Sequence, residues 1–168
     1  MEMPDVQLGV IVYSYGKKYE RYEIDGVTYY LVPTAQIDKT TKKQIEACNE
    51  AIWDFAPDLI HIHGTEHSLA KAVCMANEDR VKTVANIQGL AGPYMRYADG
   101  RLSLWDKWMN ITPLDFYRGT FLLNAKRSFK HRAECEHYVL THITDIVGRT
   151  GWDHDHVMTV NPRLRYHF

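Results

Sequence analysis

Long apolar runs are missing from this 168-residue chain, and no stretch reaches the about 18 apolar residues that a membrane-spanning helix requires. The opening MEMPDVQLGV lacks the basic start and apolar core of a signal peptide, so a cytoplasmic protein is expected. Charge of one sign is also lacking. Twenty basic and 21 acidic side chains leave a net charge of −1, which supplies no global field for a polyanion, and no nucleic-acid partner is expected. Cysteine is scarce: Cys48, Cys74 and Cys135 form no CxxC pair, against both a zinc knuckle and a secreted disulfide framework. Each is expected as a small buried side chain on a helix face. Internal repeats and low-complexity linkers are lacking as well. What remains is an apolar share of 45%, enough for the core of one domain spanning residues 1–168.

The pattern of elements follows from periodicity. VQLGVIVY (Val6 to Tyr13) is a short β-branched run, hence a buried strand. YERYEI and VTYYLV flank Asp25-Gly26, a pair that tolerates the positive φ angles of a tight hairpin turn. From Thr41 to Phe55, Ile45, Cys48, Ile52 and Phe55 recur at helical spacing, and Pro57 ends the helix. Leu59 to His63 is the next strand, Ser68 the expected N-cap of a following helix, and Lys82 to Ile87 another strand. Gln88 to Pro113 has no clear period and reads as a long loop with short helical pieces. Two helices broken near Gly119 are expected over Leu114 to Ile143, then a strand at Asp145 to Gly148, a helix over Trp152 to Val160, and a strand start at RYHF. This order predicts a three-layer, Rossmann-like α/β domain. Its mainly parallel sheet would include the strands at Val6, Leu59, Lys82 and Asp145, with the hairpin at one edge.

Ligands of such sheets lie at the carboxyl ends of strands, so three segments become candidates: HGTEH after the strand ending at His63, QGLAGPY after Ile87, and RTGWD after Gly148. Strand alternation places His61 and His63 on one face, with Ile60 and Ile62 on the other. His61 reads as a buried, hydrogen-bonded core histidine, and His63, beside Gly64, as a site residue. The aromatic group Tyr94, Tyr97, Trp105 and Trp108 would suit stacking on sugar rings, with core or interdomain packing the expected use. The run Lys126, Arg127, Lys130, His131, Arg132 reads as a solvated helix face, or as a peripheral contact with the anionic inner face of a membrane.

PDLIHIHGTEHSLAKAV, TVANIQGL and EHYVLTHITDIVGRTGWDHDHVMTVNPRLRYH, taken together, resemble the N-terminal, acceptor-side half of GT-B-fold glycosyltransferases of the retaining family 4 type. The resemblance implies transfer of a sugar from a nucleotide-sugar donor to a glycan or lipid-linked acceptor in bacterial polysaccharide synthesis. No further cofactor and no metal are implied. His63, Gly64, Thr65, Glu66, His67, Gln88 and Gly89 would then bind the acceptor, and Arg149 and Thr150 would line the cleft, Arg149 meeting a phosphate. Glu66 and Gln88 are the candidate catalytic residues. Many relatives have histidine where this chain has Gln88; glutamine orients and donates a hydrogen bond but takes no proton, so a positioning role is expected of it. Glu66 is the one carboxylate in its loop able to serve as base. In the WD pair at the helix start, Trp152 is expected to pack and Asp153 to favour the positive helix end.

Family members carry a C-terminal donor-binding domain with two glutamates eight positions apart, and no glutamate here has another at that spacing. They also open with a strand and Gly-rich loop ahead of the region matched by VQLGVIVY. The expectation is therefore a fragment that starts at the fold's second strand and is inactive alone. Two rivals remain: a zinc-dependent hydrolase using His61, His63 and His67, a near match to the HxHxDH pattern, and a carbohydrate-binding module without turnover. Asp153-His154-Asp155 also matches a DxD metal motif, in the wrong context at a helix start.

Overall fold

A computed structural model describes residues 6–16, 18–34, 39–97, 100, 102–118 and 122–168, leaving aside the side chains of 116, 118 and 122–126. The expected hairpin is present as β2 (Glu20–Ile24) and β3 (Val27–Pro33). Its turn residues Asp25 and Gly26 have φ of 52° and 77°, the paired positive angles that match the twist of the flanking strands. β1 (Leu8–Ser14) lies beside β3 in parallel, Leu8 opposite Val27 and Ser14 opposite Pro33. These strands form a three-stranded sheet of order β1-β3-β2.

α1 (Lys42–Phe55) begins at a reciprocal cap: the Thr41 hydroxyl accepts from the Gln44 amide, and the Gln44 side chain accepts from the Thr41 amide. The helix ends at Ala56, which takes a left-handed conformation (φ 48°) ahead of Pro57. It leads into a second sheet, order β4-β5-β6-β7, made of β4 (Leu59–His63), β5 (Lys82–Asn86), β6 (Asp145–Val147) and β7 (Arg165–His167). All three pairings are parallel. Parallel neighbours need crossovers, and these are supplied by α2 (Ser68–Asn77), by the run of α3 (Ala91–Tyr97), α4 (Leu104–Met109), α5 (Pro113–Arg118) and α6 (Leu122–His142), and by α7 (Gly151–Val160). The break expected near Gly119 lies outside the described residues.

The core joins these layers. Cys48 of α1, Ala72 of α2, Ala85 of β5, Val139 and Leu140 of α6, Ile146 of β6 and Val157 of α7 are buried in one cluster. Each larger aliphatic side chain among them contributes about 1.5–3 kcal/mol by leaving water. The three cysteines are buried, as expected, and none is in a disulfide. Burial pushes the thiols of Cys48 and Cys74 up to about 12.

Four expectations are corrected. β1 does not share a sheet with β4, β5 and β6: its hydrogen-bonded neighbour is β3, and β4 pairs with β5. Composition makes Val10–Val12 a strand, but pairing is chosen by tertiary contacts, and here the hairpin claims the edge. Ser68 is the first helical residue of α2 and His67 its N-cap, because the Ser68 hydroxyl is held 2.6 Å from that of Tyr13. His61 is exposed, its ring 4.2 Å from that of His63, since the face of β4 that the two histidines share borders an open cleft, while Ile62 on the other face is buried. Tyr94, Tyr97, Trp105 and Trp108 are exposed rather than packed into a core.

Candidate functional site

The carboxyl end of β4 turns at Gly64, whose φ of +82° is strained for any residue with a Cβ. Its amide donates to the Asn86 carbonyl at 3.1 Å, so the chain stays in register with β5 for one residue beyond the strand. The turn brings Glu66 back over Gly64. A methyl group placed on Gly64 would lie 3.0 Å from Glu66 Oε2 and 3.5 Å from both Gln88 Cγ and His67 Cδ2. Gly64 thus sits where the HGTEH and QGLAG loops meet.

Within the first loop, Glu66 Oε1 is 3.3 Å from His67 Nε2, while Glu66 Oε2 is buried with no hydrogen-bond partner. Two further acceptors nearby in sequence or sheet register, Thr65 Oγ1 and Asn86 Oδ1, are also buried and unpartnered. Thr65 is fully buried, so its hydroxyl offers no surface to a ligand, whereas His63 and Gln88 are exposed. The His61 imidazole is held below its ordinary range, by partial burial and then by the neighbouring charge of His63.

Arg149 joins the third loop to the second. Its Nη2 donates to the Gln88 carbonyl at 3.3 Å. The loop holding it is organised by Asp153, whose Oδ2 accepts from the amides of Arg149 and Thr150, each at 3.2 Å. In return the Thr150 hydroxyl accepts from the Asp153 amide at 3.1 Å, completing the N-terminal cap of α7. Thr150 is thereby a capping residue, and its carbonyl accepts from the Tyr166 hydroxyl. Asp153 is at the helix start as expected; Trp152 is exposed and stacks on His156 at 6.3 Å. Gly89 has open space where a Cβ would stand, so close backbone approach does not require glycine there.

Sequence reasoning passed over Glu136. This carboxylate, in α6, accepts from the amides of Ala91 (2.6 Å) and Gly92 (3.0 Å), fixing the start of α3 and with it the Gln88–Leu90 turn. Burial raises its acidity midpoint, the two amides lower it, and the charge of Glu66 raises it further. His156 Nε2 stands 3.7 Å from the same carboxylate. Burial, then Arg96, lowers the His156 midpoint, so both groups are driven toward their neutral forms and the contact adds little as an ion pair. A signal existed in the sequence: Glu136 shares the apolar stripe of Val139, Leu140 and Ile143, where a charged residue needs a dedicated partner.

The geometry therefore brings His63, Gly64, Glu66, His67, Gln88 and Arg149 to one rim, with side-chain donors and the partly exposed Glu66 carboxylate, whose Oε1 lies beside His67. Such a rim can hydrogen-bond a polyhydroxylated or phosphorylated ligand. No group of three or more His, Cys, Asp or Glu side chains among the described residues is arranged to hold a metal ion. In the basic run, Arg127 and Lys130 are exposed, Arg132 stands 5.9 Å over the Phe129 ring, and the Lys126 side chain is outside the described part. No helix among the described residues is long and apolar enough to cross a membrane. A scan of the chain against protein-family models finds no match, and comparison with curated proteins finds none either.

Proposed function

We propose that this chain is the acceptor-side domain of a GT-B-type glycosyltransferase, binding a glycan or lipid-linked acceptor while a second domain presents the nucleotide sugar. The observation that supports this reading is the Arg149–Gln88 link beside Gly64, by which three strand-end loops converge on one rim. Glu66 and His63 would contact acceptor hydroxyls, Gln88 would orient the attacking hydroxyl, and Arg149 would stabilise phosphate charge as the donor breaks. A carbohydrate-binding module without turnover is the second reading. The exposure of Tyr94, Tyr97, Trp105 and Trp108, with the two tryptophan rings 5.6 Å apart, favours it as a stacking platform.

The test is an NMR titration with neutral oligosaccharides and phosphorylated sugars, followed by a transfer assay in a polypeptide that also carries a nucleotide-sugar-binding domain. Shift changes are expected at Glu66, Gln88 and Arg149, with no transfer by the 168 residues alone. In the longer polypeptide, Gln88→Ala or Arg149→Ala should lower turnover by more than tenfold, about 1.4 kcal/mol of transition-state stabilisation. Binding confined to the aromatic group, without transfer in the longer polypeptide, would favour the second reading. Wild-type rates in both variants would overturn the roles given to these residues.

A further inference from the structure

The two sheets are separated by an apolar cleft of about 800 Å³ whose walls include β1 on one side and β4 on the other. Both strands run in the same direction along it. At their starts, the Phe55 ring, four residues before β4, packs against Gly9 of β1. At their ends, the Tyr13 hydroxyl of β1 meets Ser68 Oγ and accepts from the Leu69 amide at 2.5 Å, just past the turn that follows β4. Among the described residues, β1 pairs only on its β3 side and β4 only on its β5 side. Two strand edges of like direction thus face one cavity.

The side chains that border the cleft are left wet. Leu8 and Leu59 are each about half exposed (53% and 52%), and Gly9 to Tyr13 are only partly buried, although this run has the β-branched composition of a strand covered on all sides. A small apolar molecule in the cleft would cover these side chains but leave the edge amides and carbonyls of both strands unpaired in a dry environment, at about 1–3 kcal/mol for each group. An extended backbone satisfies both edges at once, with alternate side chains covering the two faces.

We infer that the cleft is a strand slot: it receives an apolar, extended polypeptide segment from outside residues 1–168, which adds as a parallel strand between β1 and β4 and joins the two sheets into one. The slot accommodates about five to seven residues, the length of the strands beside it. Its occupant would be rich in β-branched side chains where it meets Val10, Val12, Ile60, Ile62, Leu69 and Val73, the lining being mainly apolar apart from Gln7, the two tyrosines Tyr13 and Tyr30, and the histidines His61, His63 and His67. The consequence is functional. A strand entering here becomes central, and its carboxyl end emerges between Tyr13 and His63, so the loop that follows it joins the rim at Gly64, Glu66 and His67. This inference stands on the two edges and the cavity and does not depend on the glycosyl-transfer reading.

Amide hydrogen exchange with a synthetic probe tests it: a peptide of about ten residues with alternating valine and isoleucine between lysine ends, against the same peptide with proline at alternate positions. The expected result is at least tenfold slower exchange at alternate amides of both Leu8–Ser14 and Leu59–His63 with the first peptide and none with the second. Val10→Asp, which puts a charge in the slot without touching the β4–β7 sheet, should abolish the effect while leaving the circular dichroism spectrum unchanged. Protection of one edge only, equal protection by the proline peptide, or no protection at either edge would each overturn the inference. So would protection that arises without peptide as the chain dimerises, which would mark the cleft as a contact between copies.

Discussion

Glu136 is a side chain on which burial, hydrogen bonding and a like charge all act at once. Its carboxylate is nearly out of water and holds two backbone amides, and Glu66 adds a like charge nearby. A carbon-detected titration should place its midpoint above the about 4.3 of a free glutamate, and Glu66→Gln should bring it down. The sign for stability follows. A carboxyl raised by folding contributes stability below the unfolded-chain midpoint and loses it as pH rises through the folded one, so wild type should lose ground to Glu136→Gln across that interval. A midpoint at or below the ordinary value would refute the account. Gly148 offers a purely steric test. A methyl group there would run into the Tyr166 hydroxyl and ring, so Gly148→Ala should cost about 1–3 kcal/mol in urea unfolding, with part recovered by adding Tyr166→Phe. Gly148 is not flagged by local pattern, because its need for glycine is set by Tyr166 from a distant segment, whereas Glu136 is flagged only as a charge on an apolar stripe, its partners being set by the fold.

Short elements at the end of the second sheet depend on side chains more than on ladder length. β6 and β7 have three residues each, and Asp145 ties them: it accepts from His167 Nε2 (3.0 Å), Arg165 Nη2 (2.7 Å) and the Thr144 hydroxyl (2.8 Å). The His167 bond, then those from Arg165 and Thr144, hold the Asp145 carboxyl well below the usual carboxylate range against the opposing effect of burial. Such a group contributes stability above its unfolded midpoint of about 3.9 and loses it as pH falls through the folded value. Urea unfolding across a pH series should show Asp145→Asn less stable than wild type near neutrality, with the gap shrinking below about pH 4. A constant gap would remove the carboxylate from the explanation. The strand itself was legible, since DIV between a helix and a turn has strand composition. Its partner β7 was only a start at RYHF, because three residues carry little periodic signal.

Across the whole molecule, the β1-β3-β2 sheet is attached to the remainder by α1 and by the Tyr13 hydroxyl at Ser68 and Leu69. Regions with few cross-links open at lower free energy than the global core. Tyr13→Phe removes that hydroxyl, and exchange should accelerate in β1, β2 and β3 while β5 and β6, which enclose Ala85 and Ile146, keep their rates. Uniform acceleration would mean that the two sheets open as one unit. The same division bears on the site, since the rim at Gly64 lies at the end of the strand that borders the cleft.

The amino-acid sequence by itself determined the local elements. Alternation, the Asp25-Gly26 pair, the helical spacing from Thr41 to Phe55 and the β-branched runs act within a few residues, and the strands, the hairpin turn and the helices stand close to where those signals put them. The three strand-end loops were legible for the same reason, since glycine and polar residues following apolar runs mark chain that leaves a sheet. The tertiary structure alone decided which edges pair, leaving β1 with β3 and β4 with β5 across an open cleft. It alone turned His61 outward, spent the Thr150 hydroxyl on a helix cap, buried Thr65, and set Glu136 against the loop at Ala91. Pairing and burial depend on contacts between residues far apart in the chain, and a periodic signal specifies a face without naming what will cover it.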